Sequence, residues 1–192
     1  GLFLLDVGVT AVSFYRTLFP IFADHLYGLG ATGTGLLGAA NSIGAIIGSF
    51  AVFFTQKMQR KGLLVLIATL AYSILLIAFG MNSIFVIGLV IVCLLGATDS
   101  VGMTMRQAIA QLTTPDKLLG RTSSAHTFAA MGANNIGQVE VGLVSGLIGA
   151  GGTMIIGGFV AVGAVLLIWK FIPSIATYRY DHTTGTDSTP IK

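Results

Sequence analysis

The sequence predicts an all-α membrane protein with six transmembrane helices, and three observations support that prediction. Hydrophobic residues make up 54% of the 192 residues and charged residues only 9%, against about 25% charged in an average soluble domain. The apolar residues fall in six long runs, each close to the roughly 20 residues that a helix needs to cross a bilayer. Lys and Arg are concentrated in every second connection between these runs.

The composition excludes several other classes of protein. A soluble domain of this length could not hide so many apolar residues, because it still exposes much of its surface. With a mean hydropathy of +0.89, the chain must be surrounded by lipid. The ten Lys and Arg are dispersed along the chain, so a nucleic-acid site is not expected. A single cysteine, Cys93, excludes an internal disulfide and a CxxC motif.

The six predicted spans are 2–27, 34–54, 63–80, 84–105, 122–148 and 153–172. They form one transmembrane domain over residues 1–173, followed by a polar cytoplasmic tail at 174–192. Because the chain starts at Gly1 and its first apolar run begins at once, we expect a fragment of a longer protein and no signal peptide.

The connections between the spans alternate in charge. Those at 56–61 and 113–121 carry Lys and Arg, whereas those at 28–33, 81–83 and 149–152 are neutral or nearly so. The positive-inside rule then places both ends of the chain in the cytoplasm.

Polar residues mark one face of the first, second, fourth and fifth spans at helical spacing, whereas the third and sixth spans are almost wholly apolar. Polar side chains within a bilayer normally face protein or water, so the four polar faces are predicted to line a wet cavity and the other two spans to face lipid. This order matches the three-plus-three repeat of a transporter half. The candidate cavity residues are Thr10, Ser13, Arg16, Asn41, Met103, Arg106, Met131, Asn134, Asn135 and Gln138.

The residues between the fourth and fifth spans resemble a known family. Arg106-Gln107, Thr114-Pro115-Asp116-Lys117-Leu118, Gly120-Arg121 and the later Asn134-Asn135-Ile136-Gly137-Gln138 are similar to the carboxy-terminal half of major facilitator superfamily exporters. Within that superfamily they are most similar to the branch of enterobactin and drug exporters. The resemblance covers about residues 1–180. It departs from the family pattern at Lys117, at Leu119 and in the basic connection at 56–62, which lacks the Asp of the gating motif.

The resemblance implies half of a twelve-helix secondary transporter that exports small molecules by alternating access, coupled to protons. It implies a bacterial inner membrane, a missing amino-terminal six-helix half as partner, and a cytoplasmic loop built on Pro115, Asp116, Gly120 and Arg121. No catalytic or nucleotide-binding motif and no metal-ligand spacing is present. We therefore expect no enzymatic activity, cofactor or metal.

Three carboxylates are candidates for proton coupling: Asp99, Glu140 and Asp6. An ionisable residue within a span is by default a candidate functional site. Asp99 lies about two turns from Arg106 on one face, and either couples protons or forms a structural ion pair. Glu140 lies opposite the amides of its span, and either couples protons or joins helices in a buried, protonated form.

Arg16 lies within the first span, where its permanent charge requires a partner. A carboxylate on a neighbouring helix is favoured over an anionic substrate. The amides of the cavity face suit either substrate recognition or hydrogen bonds between helices, and the Gly44-xxx-Gly48 and Gly142-xxx-Gly146 pairs predict close helix packing. Two other functions stay open: a non-transporting membrane scaffold or assembly subunit, and a membrane enzyme using Asp99 and His126.

Overall fold

The computed structural model describes residues 15–55, 61–113 and 119–171, and within these ranges every regular element is helical. The all-α membrane prediction is therefore confirmed for the described residues. We call the consecutive segments Tyr15–Leu18, Phe19–Ile21 and Phe22–Leu26 together α1, and the longer helices α2 (Gly30–Thr55), α3 (Lys61–Met81), α4 (Phe85–Thr113) and α5 (Leu119–Phe171). The predicted site residues Asp6, Thr10, Ser13, Pro115 and Asp116 lie outside the described residues.

Helix α1 is irregular, which hydrophobic periodicity did not predict. From Tyr15, the first described residue, it runs as a 3-10 turn, then as a short α turn at Pro20, and ends in a wide π turn. Pro20 has no backbone N–H to donate, so the regular hydrogen-bond pattern is interrupted there. In the π turn the Tyr27 amide donates to the Phe22 carbonyl, five residues back, at 3.0 Å. Gly28, with a φ of 64°, then ends the helix.

Helices α2 and α4 touch along their backbones. A Cβ added at Gly44 would overlap the carbonyl oxygen of Cys93, and one added at Gly48 would overlap that of Ala97. Gly96 on α4 lies equally close to the backbone of α2. Small residues permit this approach between membrane helices. The interpretation of Gly44-xxx-Gly48 as a packing motif is therefore confirmed.

Helix α3 is the most buried of the long helices. Of its most apolar stretch 44% is buried, against 28–33% for the other long helices. It packs against α4 and α5, and its Phe79 ring lies 4.6 Å from the Phe22 ring of α1. Its large exposed apolar residues are Ile67, Ile74 and Met81. The third span thus exposes only one narrow stripe of large apolar residues. The expectation that this span faces lipid is wrong for its other faces, which pack against protein.

The connection predicted at 149–152 is also wrong. Residues 150–152 are helical, and Gly149 alone breaks α5, with φ 79° and ψ 162°. A side chain at this φ is strained, so glycine suits the position. The Thr153 hydroxyl donates to the Gly149 carbonyl at 2.8 Å. The fifth and sixth predicted spans therefore meet directly.

Several other boundaries differ from the predicted ones. Helix α2 starts at Gly30, and α4 continues past residue 105 to Thr113. Gly120 and Arg121, assigned from the sequence to the cytoplasmic loop, lie in helix α5, which is described from Leu119 onward. Among the described residues, four stretches are long and apolar enough to cross a membrane: Gly30–Phe53, Leu63–Met81, Phe85–Met105 and Asn135–Leu167.

Candidate functional site

An ion pair joins two charged residues that the sequence places within predicted spans. Nη2 of Arg16 on α1 lies 3.3 Å from Oδ2 of Asp99 on α4, although 83 residues separate them in the chain. Each residue was a candidate from the sequence alone, and the fold brings them together. Of the two partners expected for Arg16, the structure contains the carboxylate on a neighbouring helix.

The pair is partly open. The Arg16 side chain is 56% exposed and the Asp99 side chain 36%. The contact joins one nitrogen and one oxygen, whereas the strongest arginine–carboxylate contacts are bidentate. The arrangement can therefore exchange partners, since the guanidinium is within reach of a ligand from the open side.

Helix geometry places Asp99 within the apolar stretch Phe85–Met105 of α4, closer to its Met105 end. Asp99 follows Phe85, the first residue of α4, by 14 residues, about 21 Å at 1.5 Å per residue, and an apolar layer is about 30 Å thick. Next to Asp99, the hydroxyls of Ser100 and Ser49 are 2.9 Å apart and join α4 to α2. Met103, one turn further along α4, is exposed.

Behind the ion pair lies a buried hydrogen bond between two helices, whose partner the sequence did not predict. The Asn41 side-chain amide donates to the Tyr15 hydroxyl, and the two residues are 4% and 2% exposed. The Arg16 guanidinium carbon lies 5.8 Å from the centre of the Tyr15 ring, within the range of a cation–π contact. Of the two roles left open for Asn41, lining the cavity or bonding between helices, the structure shows the second, because Tyr15 covers its amide.

The fifth-span candidates lie on the first part of α5, before the break at Gly149. Met131, Asn135 and Gln138 are exposed, and so is Glu140. Glu140 was considered as a buried residue joining helices, and the structure does not bury it. For Arg106, Arg121, His126 and Asn134 the structure describes the helix position but not the side chain.

Large apolar residues share this open surface of α5, among them Phe128, Leu143 and Leu147. Helix α5 contacts the first turn of α1, which carries Arg16. In the ranges 15–55, 61–113 and 119–171, no group of three or more His, Cys, Asp or Glu could hold a metal ion.

The chain matches known proteins over nearly its whole length. Residues 5–183 match the family described as transmembrane secretion effector. The chain is 28% identical over 170 residues to the enterobactin exporter EntS of Escherichia coli O1:K1 / APEC. It is equally similar to the proteins of that name from Escherichia coli O139:H28 (strain E24377A / ETEC) and Shigella boydii serotype 18 (strain CDC 3083-94 / BS512).

These matches cover 88% of the chain but only 41% of each relative. The chain therefore spans about two-fifths of the length of the curated relatives it matches. No solved structure matches it significantly.

Proposed function

Because the chain belongs to the transmembrane secretion effector family, within the major facilitator superfamily, we propose that it is the second six-helix half of a twelve-helix exporter of small molecules. The family and the exporter relatives indicate a transporter and not an enzyme. The 41% coverage of those relatives agrees with a missing amino-terminal half of similar size. The two halves would enclose a substrate site near the middle of the bilayer, as in related transporters.

One observation carries this proposal: the ion pair between Arg16 and Asp99 joins two helices within the apolar layer, on a face that the described chain leaves partly open. A charged pair is costly there and is retained where it serves transport or helix association. Partial exposure favours transport, because the open side leaves the guanidinium within reach of a ligand. Exposed Met103 on α4, and Met131, Asn135 and Gln138 on α5, would line the same cavity.

In the proposed mechanism, a proton entering from outside binds a carboxylate oxygen of Asp99. Neutral Asp99 no longer attracts Arg16, so α1 and α4 lose an interaction that keeps one side of the transporter closed. The populations of the inward-open and outward-open states then shift. Moving one charge through the membrane supplies about 2.3 kcal/mol per 100 mV. Arg16, released from Asp99, would then hold an anionic group of the substrate, for which its guanidinium is suited.

The proposed location is a bacterial inner membrane. The positive-inside rule places the basic connections, and so both ends of the chain, in the cytoplasm. The end formed by Tyr27, Asn82 and Gly149 would then face outward. Glu140, which is exposed on α5, and Asp6 are the alternative coupling carboxylates.

The test is efflux driven by a pH gradient, with enterobactin as probe because the relatives are enterobactin exporters. In cells carrying the full-length protein, Asp99→Asn is expected to reduce gradient-driven efflux by about tenfold or more, since the amide cannot take up the proton. Arg16→Ala is expected to cause a similar loss. Asp24→Asn is the matched control, because Asp24 is an exposed carboxylate near the far end of α1.

Normal gradient-driven efflux by Asp99→Asn would overturn the coupling assignment. If Glu140→Gln then abolished it, coupling would move to α5. The unaltered protein and both variants could also give no more enterobactin efflux than cells that lack the protein. In that case the scaffold or assembly-subunit alternative would replace transport of this probe.

A further inference from the structure

We propose that Tyr15 and Asn41 are positioning residues that hold Arg16 against Asp99. This inference rests on the proposed function, because the ion pair is its coupling site. It assigns Asn41, a predicted cavity residue, to a task in the protein interior. It also assigns a task to Tyr15, which lay outside the predicted set.

The Tyr15 ring is held from several sides. It makes edge-to-face contacts with Phe19 of α1 at 5.6 Å and with Tyr72 of α3 at 6.0 Å, measured between ring centres. Its hydroxyl accepts the hydrogen bond from Asn41 of α2. The ring is thereby fixed relative to three helices, and with it the backbone from which the next residue, Arg16, extends.

Asn41 is fixed as firmly on the other side of this hydrogen bond. Its backbone carbonyl touches Gly96 of α4 so closely that a Cβ there would overlap it. Gly96 lies three residues before Asp99 on the same helix. The Tyr15 hydroxyl therefore ties α1 to the contact between α2 and α4 at nearly the level of Asp99.

The Tyr15 ring also restricts Arg16 directly, since the guanidinium carbon lies 5.8 Å from the ring centre. An arginine side chain loses much rotamer freedom when it forms a single contact. For a half-exposed pair that loss can cancel the electrostatic attraction. A fixed ring beneath the guanidinium reduces the number of rotamers that compete with the paired one.

The test is a double-mutant cycle on the melting temperature of the purified full-length protein, which needs no knowledge of the substrate. Asp99→Asn is expected to lower Tm by about 2 °C in the unaltered protein. In a Tyr15→Phe background it is expected to lower Tm by less than half as much, because the pair is already loosened. Asn41→Leu, which removes the amide but keeps the branching, is expected to act like Tyr15→Phe.

Tyr27→Phe is the matched control. Tyr27 at the far end of α1 also pairs with an asparagine, Asn82, whose amide donates to its hydroxyl at 3.1 Å. Removing this hydroxyl breaks the same kind of hydrogen bond away from the ion pair, together with the bond that the hydroxyl donates to the Asn82 carbonyl at 3.4 Å. Its effect on Tm is expected to add to that of Asp99→Asn.

Additivity of Tyr15→Phe and of Asn41→Leu with Asp99→Asn would overturn the inference, since both residues would then only support packing. An unchanged Tm on Asp99→Asn alone would overturn it as well. If Tyr15→Phe does not fold, the Asn41→Leu cycle decides. A different outcome would overturn the proposed function but not this inference: Asp99→Asn leaves gradient-driven efflux intact while the double-mutant cycle shows coupling.

Discussion

Two glycine pairs with the same spacing lie in opposite surroundings. Gly44 and Gly48 on α2 press against the carbonyls of α4, so that a Cβ at either position would overlap backbone atoms. A Cβ at Gly142 or Gly146 on α5 meets nothing within 4 Å. Spacing thus indicates which helix faces can approach a neighbour closely, and only the tertiary structure decides whether they do.

The largest effect is expected for Gly44→Ala. The added methyl group would overlap the Cys93 carbonyl, a backbone atom that can move only if α2 and α4 separate. We expect a loss of about 3 kcal/mol of stability, measured as a lower Tm and a lower yield of full-length protein. An alanine variant with the normal Tm would mean that this helix contact is looser than the structure shows.

A smaller effect is expected for Gly80→Ala, where α3 meets α5. The added Cβ would lie 2.8 Å from the Gly151 carbonyl and 2.9 Å from the Met154 Cβ. Gly80 is one residue from the end of α3, so the helix end can shift to make room. We expect a loss of about 1 kcal/mol of stability, measured as a lower Tm. A loss as large as that of Gly44→Ala would show that this end is as rigid as the α2–α4 contact.

The smallest effect is expected for Gly142→Ala. The methyl group enters open space, and alanine is the better helix former, so stability should rise by about 0.5 kcal/mol. The change in Tm relative to Gly44→Ala is the quantity that tests the comparison directly. A loss similar to that of Gly44→Ala would contradict an open α5 face and would place another helix of the full-length protein against it.

The sequence was sufficient for the all-α membrane class and for the family, since the resemblance to exporters of the major facilitator superfamily is confirmed by the match over residues 5–183. It was also sufficient to single out Arg16 and Asp99 separately. Their pairing could not be predicted, because it depends on how α1 lies against α4, and α1 is distorted around Pro20. Helical spacing on a regular 3.6-residue period does not describe such a helix.

Asn41 and α3 show a second limit of sequence reasoning. A polar face of a membrane helix looks the same whether water or a buried hydroxyl covers it, and the covering group at Asn41 belongs to Tyr15, an aromatic residue 26 positions away. An apolar helix likewise looks the same whether lipid or protein surrounds it, because lipid tails are as apolar as a protein core. The burial of Tyr72 and Phe79 on α3 therefore left no signal in hydropathy.

The end of the bundle formed by Tyr27, Asn82 and Gly149 has one further consequence. Its connections comprise residues 27–29, residues 82–84 and the single residue Gly149. Proteolytic cleavage and tolerated insertions occur mainly at exposed loop tips. Cleavage or insertion at this end would have to break a helix or the hydrogen bond between Asn82 and Tyr27, so we expect this end to resist proteases and to tolerate inserted tags poorly.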